Sequence, residues 1–293
     1  MAEIAYHDLA RRESIPSGAY IFCDRERMSE VQRSLAIKIW DQLTVGGDSV
    51  RLLNNPRIQL SRFELLRALY EKGINEFRAF RADALPGDLR WPVFVRLEQD
   101  HSGPKSDLIR ESGSLWRAIA ECVLGGAKLH EVLVVEYVDA VSPDGAYRKY
   151  GAYRVGNRIF GQHLLLGTEW SVKSEKRLKS TQALQENRDY FLQNPHRDLL
   201  MPYFEIAGID YGRIDYSFIE GRIQIWEIND NPQFVSKKPL RLSNEGKEFV
   251  YVEALAELEE GLGTPRAVGL DVMGDHIWGG LSLQLKMGEA ATP

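Results

Sequence analysis

The chain is 293 residues long, 44% hydrophobic and 27% charged, with a formal net charge of −5. That length supplies one large core or two smaller ones, and the acidic balance argues against a nucleic-acid binder held by phosphate contacts. Cys23 and Cys122 make neither a disulfide framework nor a metal-spacing motif, no apolar run approaches the length of a membrane span, and the expected setting is the cytoplasm, with no membrane partner.

In chain order, AYIFCD (19–24) reads as a buried strand and MSEVQRSLAIKIWDQL as a helix, and SVRLLNN (49–55) is a second strand ending at Pro56. Ser61 and Glu64 form a capping box at the head of SRFELLRALYEKG, whose apolar stripe is read as Phe63, Leu66 and Tyr70 and which Gly73 closes. FRAFRA (77–82) and WPVFVRLE (91–98) read as strands, the latter followed by the polar loop DHSGPKS. A helix over roughly 114–124 ends at Gly125-Gly126, and EVLVVEYV (131–138) is another strand. YRKYGAYRV and RIFGQHLLL form a hairpin across Gly156-Asn157. The stretch 174–207 is mostly helical with breaks near Pro195 and Pro202, a helix at about 244–260 comes late, and the tail beyond Gly261 shows little pattern. The order is α+β: a small β/α unit (1–60), a mixed unit (61–138), a larger β-rich unit (139–262) and a C-terminal tail (263–293).

Between the last two helical stretches lies GRIDYSFIEGRIQIWEINDNP (212–232), which reads as a hairpin turning at Glu220-Gly221. Alternation puts Arg213, Asp215 and Ser217 on one face of its first strand, and Glu227 and Asn229 together on its second. A two-residue loop pairs 219 with 222 and sets Asp215 beside Trp226. A three-residue loop, Ile219-Glu220-Gly221, pairs 218 with 222 and 213 with 227, and the glycine at its end favours that choice. Asp215, Glu227 and Asn229 then form a cluster of hard oxygen donors. With no thiolate or paired imidazole nearby, such a cluster suits Mg²⁺ and its phosphate partners; the competing reading is a solvated acidic face. The six histidines are scattered, His163 carries little signal, and Trp170 and Trp226 read as packing residues.

Four stretches, in order, resemble the ATP-grasp superfamily: LLNNP…SRFELLRAL…GI, WPVFVR, LVVEYV and the 212–232 hairpin with its R-x-D and E-x-N, together spanning about 50–235. The resemblance implies two α+β lobes holding ATP between them, preceded by the small β/α unit. It implies that Asp215, Glu227 and Asn229 bind Mg²⁺ and that Arg213 steadies a developing oxyanion or acyl phosphate. Glu136, with the backbone of Tyr137 and Val138, would hold adenine. Arg62 and Arg96 stand where relatives carry phosphate-binding lysines, and DHSGPKS is poorer in glycine than the family's phosphate loop. Lys149 and Arg154 would meet phosphates or the substrate carboxylate, although strand alternation sends one of the two outward. The implied reaction joins a small-molecule or peptide carboxylate to an amine at the expense of ATP. A phosphoryl-transfer enzyme on the same scaffold and a nucleotide-binding protein without turnover stay open, as does assembly into a homo-oligomer.

Overall fold

The computed structural model describes residues 3–172, 177–232, 247–263 and 267–270. The chain divides into two compact units, one built from residues up to Phe22, from Met28 to Arg57 and from Leu258 onward, the other from Cys23–Arg27 and Ile58–Glu257. No described helix is long and apolar enough to cross a membrane.

The first unit begins with α1 (Tyr6–Leu9), β1 (Ser14–Pro16), β2 (Gly18–Ile21), α2 (Glu30–Thr44) and β3 (Val50–Leu53). Ser29 caps α2, its hydroxyl accepting from Gln32 N while the Gln32 side chain accepts from Ser29 N. One face of α2 buries Ala36, Ile39 and Leu43 against Leu9, Ile15 and Phe22. β2 and β3 run parallel, as a strand–helix–strand crossover requires.

The second unit opens with α3 (Arg62–Glu71), and its expected capping box is present: Ser61 Oγ accepts from Glu64 N and the Glu64 carboxylate from Ser61 N. Its buried stripe is Leu65, Leu66 and Leu69, with Tyr70 exposed, rather than Phe63, Leu66 and Tyr70. The helix serves two cores, Leu65 and Leu69 entering one and Leu66 the other, so the buried arc is displaced from a one-sided stripe. β4 (Ala79–Arg81), β5 (Val93–Leu97), α4 (Ser112–Leu124) and β6 (Val132–Glu136) follow. The strands form an antiparallel sheet in the order β4-β6-β5. α4 covers one face, with Leu115 and Ile119 on Val93, Val95, Val132 and Val134; Leu66 and Phe77 cover the other, on Phe94, Leu133 and Val135.

The remaining elements are β7 (Tyr147–Val155), β8 (Arg158–Gly167), α5 (Thr181–Gln193), α6 (Arg197–Ala207), β9 (Tyr211–Ile219), β10 (Arg222–Asn229) and α7 (Lys247–Glu257). Between α5 and α6 the chain leaves the helix at Asn194, with φ of 42°. Pro202 lies inside α6, where it forfeits one backbone hydrogen bond, a loss outweighed by burial of Leu200, Phe204 and Ala207. The four strands pair antiparallel in the order β10-β9-β7-β8. One sheet face is apolar: Ala152, Ile214, Tyr216, Ile223, Ile225 and Ile228 meet Leu200 and Phe204 of α6 and Leu65 and Leu69 of α3. The opposite face carries the polar residues described below. The last described strand, β11 (Ala267–Gly269), belongs to the first unit and pairs antiparallel with β1, Val268 opposite Ile15.

Candidate active site

The β9–β10 turn has two residues, Glu220 and Gly221, with φ of 49° and 78°, and pairs Ile219 with Arg222. This corrects the expected three-residue loop. Two consecutive left-handed residues match the right-handed twist of a hairpin, which a tight turn of this kind favours. Asp215 nonetheless lies opposite Glu227, because a β-bulge between Ile225 and Glu227 inserts Trp226 as an extra residue. The bulge also resolves the strand's alternation: Ile223, Ile225 and Ile228 all reach the apolar core, while Glu227 and Asn229 lie opposite Asp215 and Arg213. Trp226 Nε1 donates to Ser217 Oγ at 2.9 Å, and its ring stacks on Phe77 at 5.2 Å.

Asp215 is 1% exposed and Glu227 8%. Lys149 Nζ donates to Asp215 Oδ2 at 2.9 Å and Arg213 Nε to Oδ1 at 2.9 Å. Burial works against the charge on Asp215, but Arg213, Lys149 and His163 outweigh it and hold the carboxyl well below the usual range. Glu227 Oε2 accepts from Arg62 at 2.7 Å and from Arg96 at 3.0 Å. Burial again opposes ionisation, and the two guanidiniums prevail. Asn229 lies opposite Arg213, its Oδ1 accepting from Asn231 N at 2.8 Å.

Arg62, 2% exposed, also donates to the carbonyls of Leu97, Glu98 and Asp100, at 3.2, 2.6 and 3.1 Å. It thereby ties the loop after β5 to the hairpin. The structure brings Asp215, Glu227, Asn229, Arg213, Lys149, Arg62 and Arg96 together, the arginines at 62 and 96 meeting a carboxylate rather than standing apart from it.

Two expected residues are held by partners outside this cluster. Arg154 is not on the polar face: Nη1 donates to Ile209 O at 2.9 Å, Nε to Gly156 O at 2.8 Å, and Asp210 pairs with it at 3.1 Å. It differs from Lys149 by an odd number of positions, so the pleat sends the two to opposite faces. The Glu136 carboxylate accepts from Arg78 Nη2 at 2.6 Å, from Arg90 Nε at 2.8 Å and from the backbone N of both arginines. Burial is overcome by these bonds and its pKa is lowered, so its side chain is an internal anchor. Tyr137 N donates to Pro92 O and its hydroxyl to Asp139; Val138 packs against the Phe94 core.

Two neighbouring carboxylates, Glu26 and Asp230, carried no earlier signal. Glu26 lies 3.4 Å from Arg62 and 3.5 Å from His101, and burial pushes its pKa to about 7. Asp230 accepts from Arg25 N at 2.9 Å and from Gln59 at 3.1 Å, and burial raises its pKa to about 6. The clue available was position: Asp230 directly follows Asn229.

The donor set fits a hard divalent cation. Two ionised carboxylates oppose each other with an amide oxygen alongside, and each carboxylate has more lone pairs than its present partners use. Among the described residues no group of three or more His, Cys, Asp or Glu side chains converges as a metal centre would. A cation here would therefore draw the rest of its shell from water and phosphate, as magnesium does.

No protein-family model matches the sequence, and no curated protein does. Among solved structures, the chain is similar to a D-alanine–D-alanine ligase from Bacillus anthracis complexed with ATP, at 11% identity and a TM-score of 0.44 over 78% of this chain and 75% of that one. It is similar to the D-alanine–D-alanine ligase from Coxiella burnetii, at 13% identity and a TM-score of 0.46 over 76% and 64%. The ATP-grasp ligase PsnB, complexed with a phosphomimetic variant of its minimal precursor, Mg and ADP, shows 12% identity and a TM-score of 0.44 over 78% and 67%. At such identity the chemistry of this chain is read from its own side chains.

Proposed function

We propose that the protein is an ATP- and magnesium-dependent ligase that joins a carboxylate to an amine. The observation that carries this reading is the pair of buried, ionised carboxylates, Asp215 and Glu227, brought face to face by the bulge and ringed by Lys149, Arg213, Arg62 and Arg96. Asp215, Glu227 and Asn229 would hold the ion. Bound magnesium supplies charge neutralisation and alignment of phosphoryl oxygens. Lys149 and Arg213 stay beside Asp215 and lend positive charge where anionic oxygens gather, a role that preorganised cations perform without reorganisation during reaction. Arg62 and Arg96 hold Glu227 until anionic substrate oxygens compete for their guanidinium protons. In the proposed reaction the substrate carboxylate takes the terminal phosphoryl group of ATP, and an amine then displaces phosphate to give an amide.

A second reading, a nucleotide-binding protein without turnover, draws support from the protein carboxylates and carbonyls that Arg62 and Arg96 already meet and from the arginines that hold the Glu136 carboxylate. The deciding experiment incubates the protein with ATP, magnesium and pooled carboxylates and amines, followed by mass spectrometry. ADP with a condensed product is expected. ADP with a phosphorylated product would make it a kinase, and nucleotide binding by calorimetry with no ADP formed would make it the non-catalytic protein.

A further inference from the structure

A transverse row crosses the four-stranded sheet: Glu227 on β10 faces Asp215 on β9, Asp215 faces Gly151 on β7, and Gly151 faces His163 on β8. Both ends of the row follow a bulge. On β10 the extra residue is Trp226. On β8 the register passes from Gly151↔His163 to Ala152↔Gly161, leaving Gln162 as the extra residue. Bulges are devices that re-aim a side chain, and here two of them flank the same pair of central residues.

Gly151 shows where the histidine ring goes. A Cβ built on Gly151 would project on the same face as Asp215, its register partner, and would lie 2.5 Å from Cε1, 2.8 Å from Nε2 and 2.9 Å from Nδ1 of His163. Three ring atoms within 3 Å of that point mean that the imidazole covers the Gly151 backbone, occupying the space a side chain would take. It borders Asp215 on the side away from Glu227 and is among the groups whose electrostatic influence favours the ionised carboxylate. A glycine inside a regular strand costs stability through chain entropy and lost packing, and the close approach of the ring accounts for it.

We propose that His163 is the positioning residue of Asp215: lying over Gly151, it walls the carboxylate in and holds it toward Glu227. This rests on the reading of Asp215 as a metal ligand. Groups behind a ligand fix its orientation, and their removal costs about 10- to 100-fold in metal affinity.

The test is Mn²⁺ affinity, measured by paramagnetic resonance on the wild type, His163→Ala, His163→Asn, Gly151→Ala and the Gly151→Ala/His163→Ala double variant, with metal-free melting curves alongside. His163→Ala is expected to weaken Mn²⁺ binding by about 10- to 100-fold, and His163→Asn to recover part of it. Gly151→Ala should reproduce the loss by pushing the ring aside, and should add nothing once His163 is alanine. Equal affinity in wild type and His163→Ala, additive losses in the double variant, or a loss that only tracks the folded fraction would each overturn the assignment. A wild type that binds no Mn²⁺ would defeat the metal-site reading itself, and this proposal with it; that outcome is distinct because it appears before any substitution is made.

Discussion

Arg62 meets two glutamates with opposite results. Glu227 receives hydrogen bonds from Arg62 and Arg96 and is held low despite burial. Glu26 has only a 3.4 Å approach to Arg62, its buried Oε2 accepts no hydrogen bond, and burial raises it to about 7. Linkage gives the two opposite signs. The Glu227 contribution is present above the unfolded carboxyl value and is lost as pH falls through the lowered folded one. The Glu26 contribution is present below its unfolded value and is lost as pH rises through about 7. Glu227→Gln removes the carboxylate that the buried Arg62 and Arg96 guanidiniums share and is expected to lower metal-free stability by about 3–5 kcal/mol. Loss of turnover in that variant must therefore be normalised to folded protein. Glu26→Gln should raise stability at pH 8, with the gain vanishing toward pH 4; denaturant titration at both values checks it, and a gain equal at the two would contradict the assignment.

At the scale of elements, alternation was enough to place Arg213, Asp215 and Ser217 on one face of β9, whereas the meeting of Glu227 with Asp215 depended on the turn and the register. The route was different: a two-residue turn plus a bulge rather than a three-residue loop. Trp226 is a strong strand former, so nothing in composition marks it as the inserted residue. Gly151, by contrast, was a legible sign of a bulge or a close approach inside YRKYGAYRV, and it points to His163. The turn itself is open to improvement. Glu220 holds φ of 49°, a conformation that asparagine before glycine tolerates better, and Glu220→Asn is expected to add about 0.5–1 kcal/mol. A lower melting temperature in that variant would argue against the tight turn.

At the scale of the whole molecule, the strands and helices of both units were largely readable from periodicity and caps, but the return of the chain to its beginning was not. β11 is three residues long and finds its partner at the far end of the sequence, and so short a segment carries no period. Its burial makes it structural: Val268 is 6% exposed and joins Ile15, Ile39 and Leu43 in the core of the first unit. Val268→Asp places an unpaired charge in that core and should unfold it. Trp40, which packs against the same core, reports this by fluorescence, while amide exchange in β7, β9 and β10 is expected to stay slow. Uniform loss of protection across β7, β9 and β10 as well would contradict this expectation.

The cations around Asp215 and Glu227 come from α3, β5, β7 and β9. The molecule thus brings its own counter-ions to the place where it would receive magnesium. Where a site's charges go unbalanced without metal, binding and folding are one event and a chelator denatures the protein. Here the repulsion is settled before any ion arrives. The protein should survive dialysis against EDTA with its cooperative melt intact, and added magnesium should raise the melting point only as mass action dictates. Purification without metal would then yield a folded protein, and on the proposed function the ion alone would restore turnover, with no refolding step.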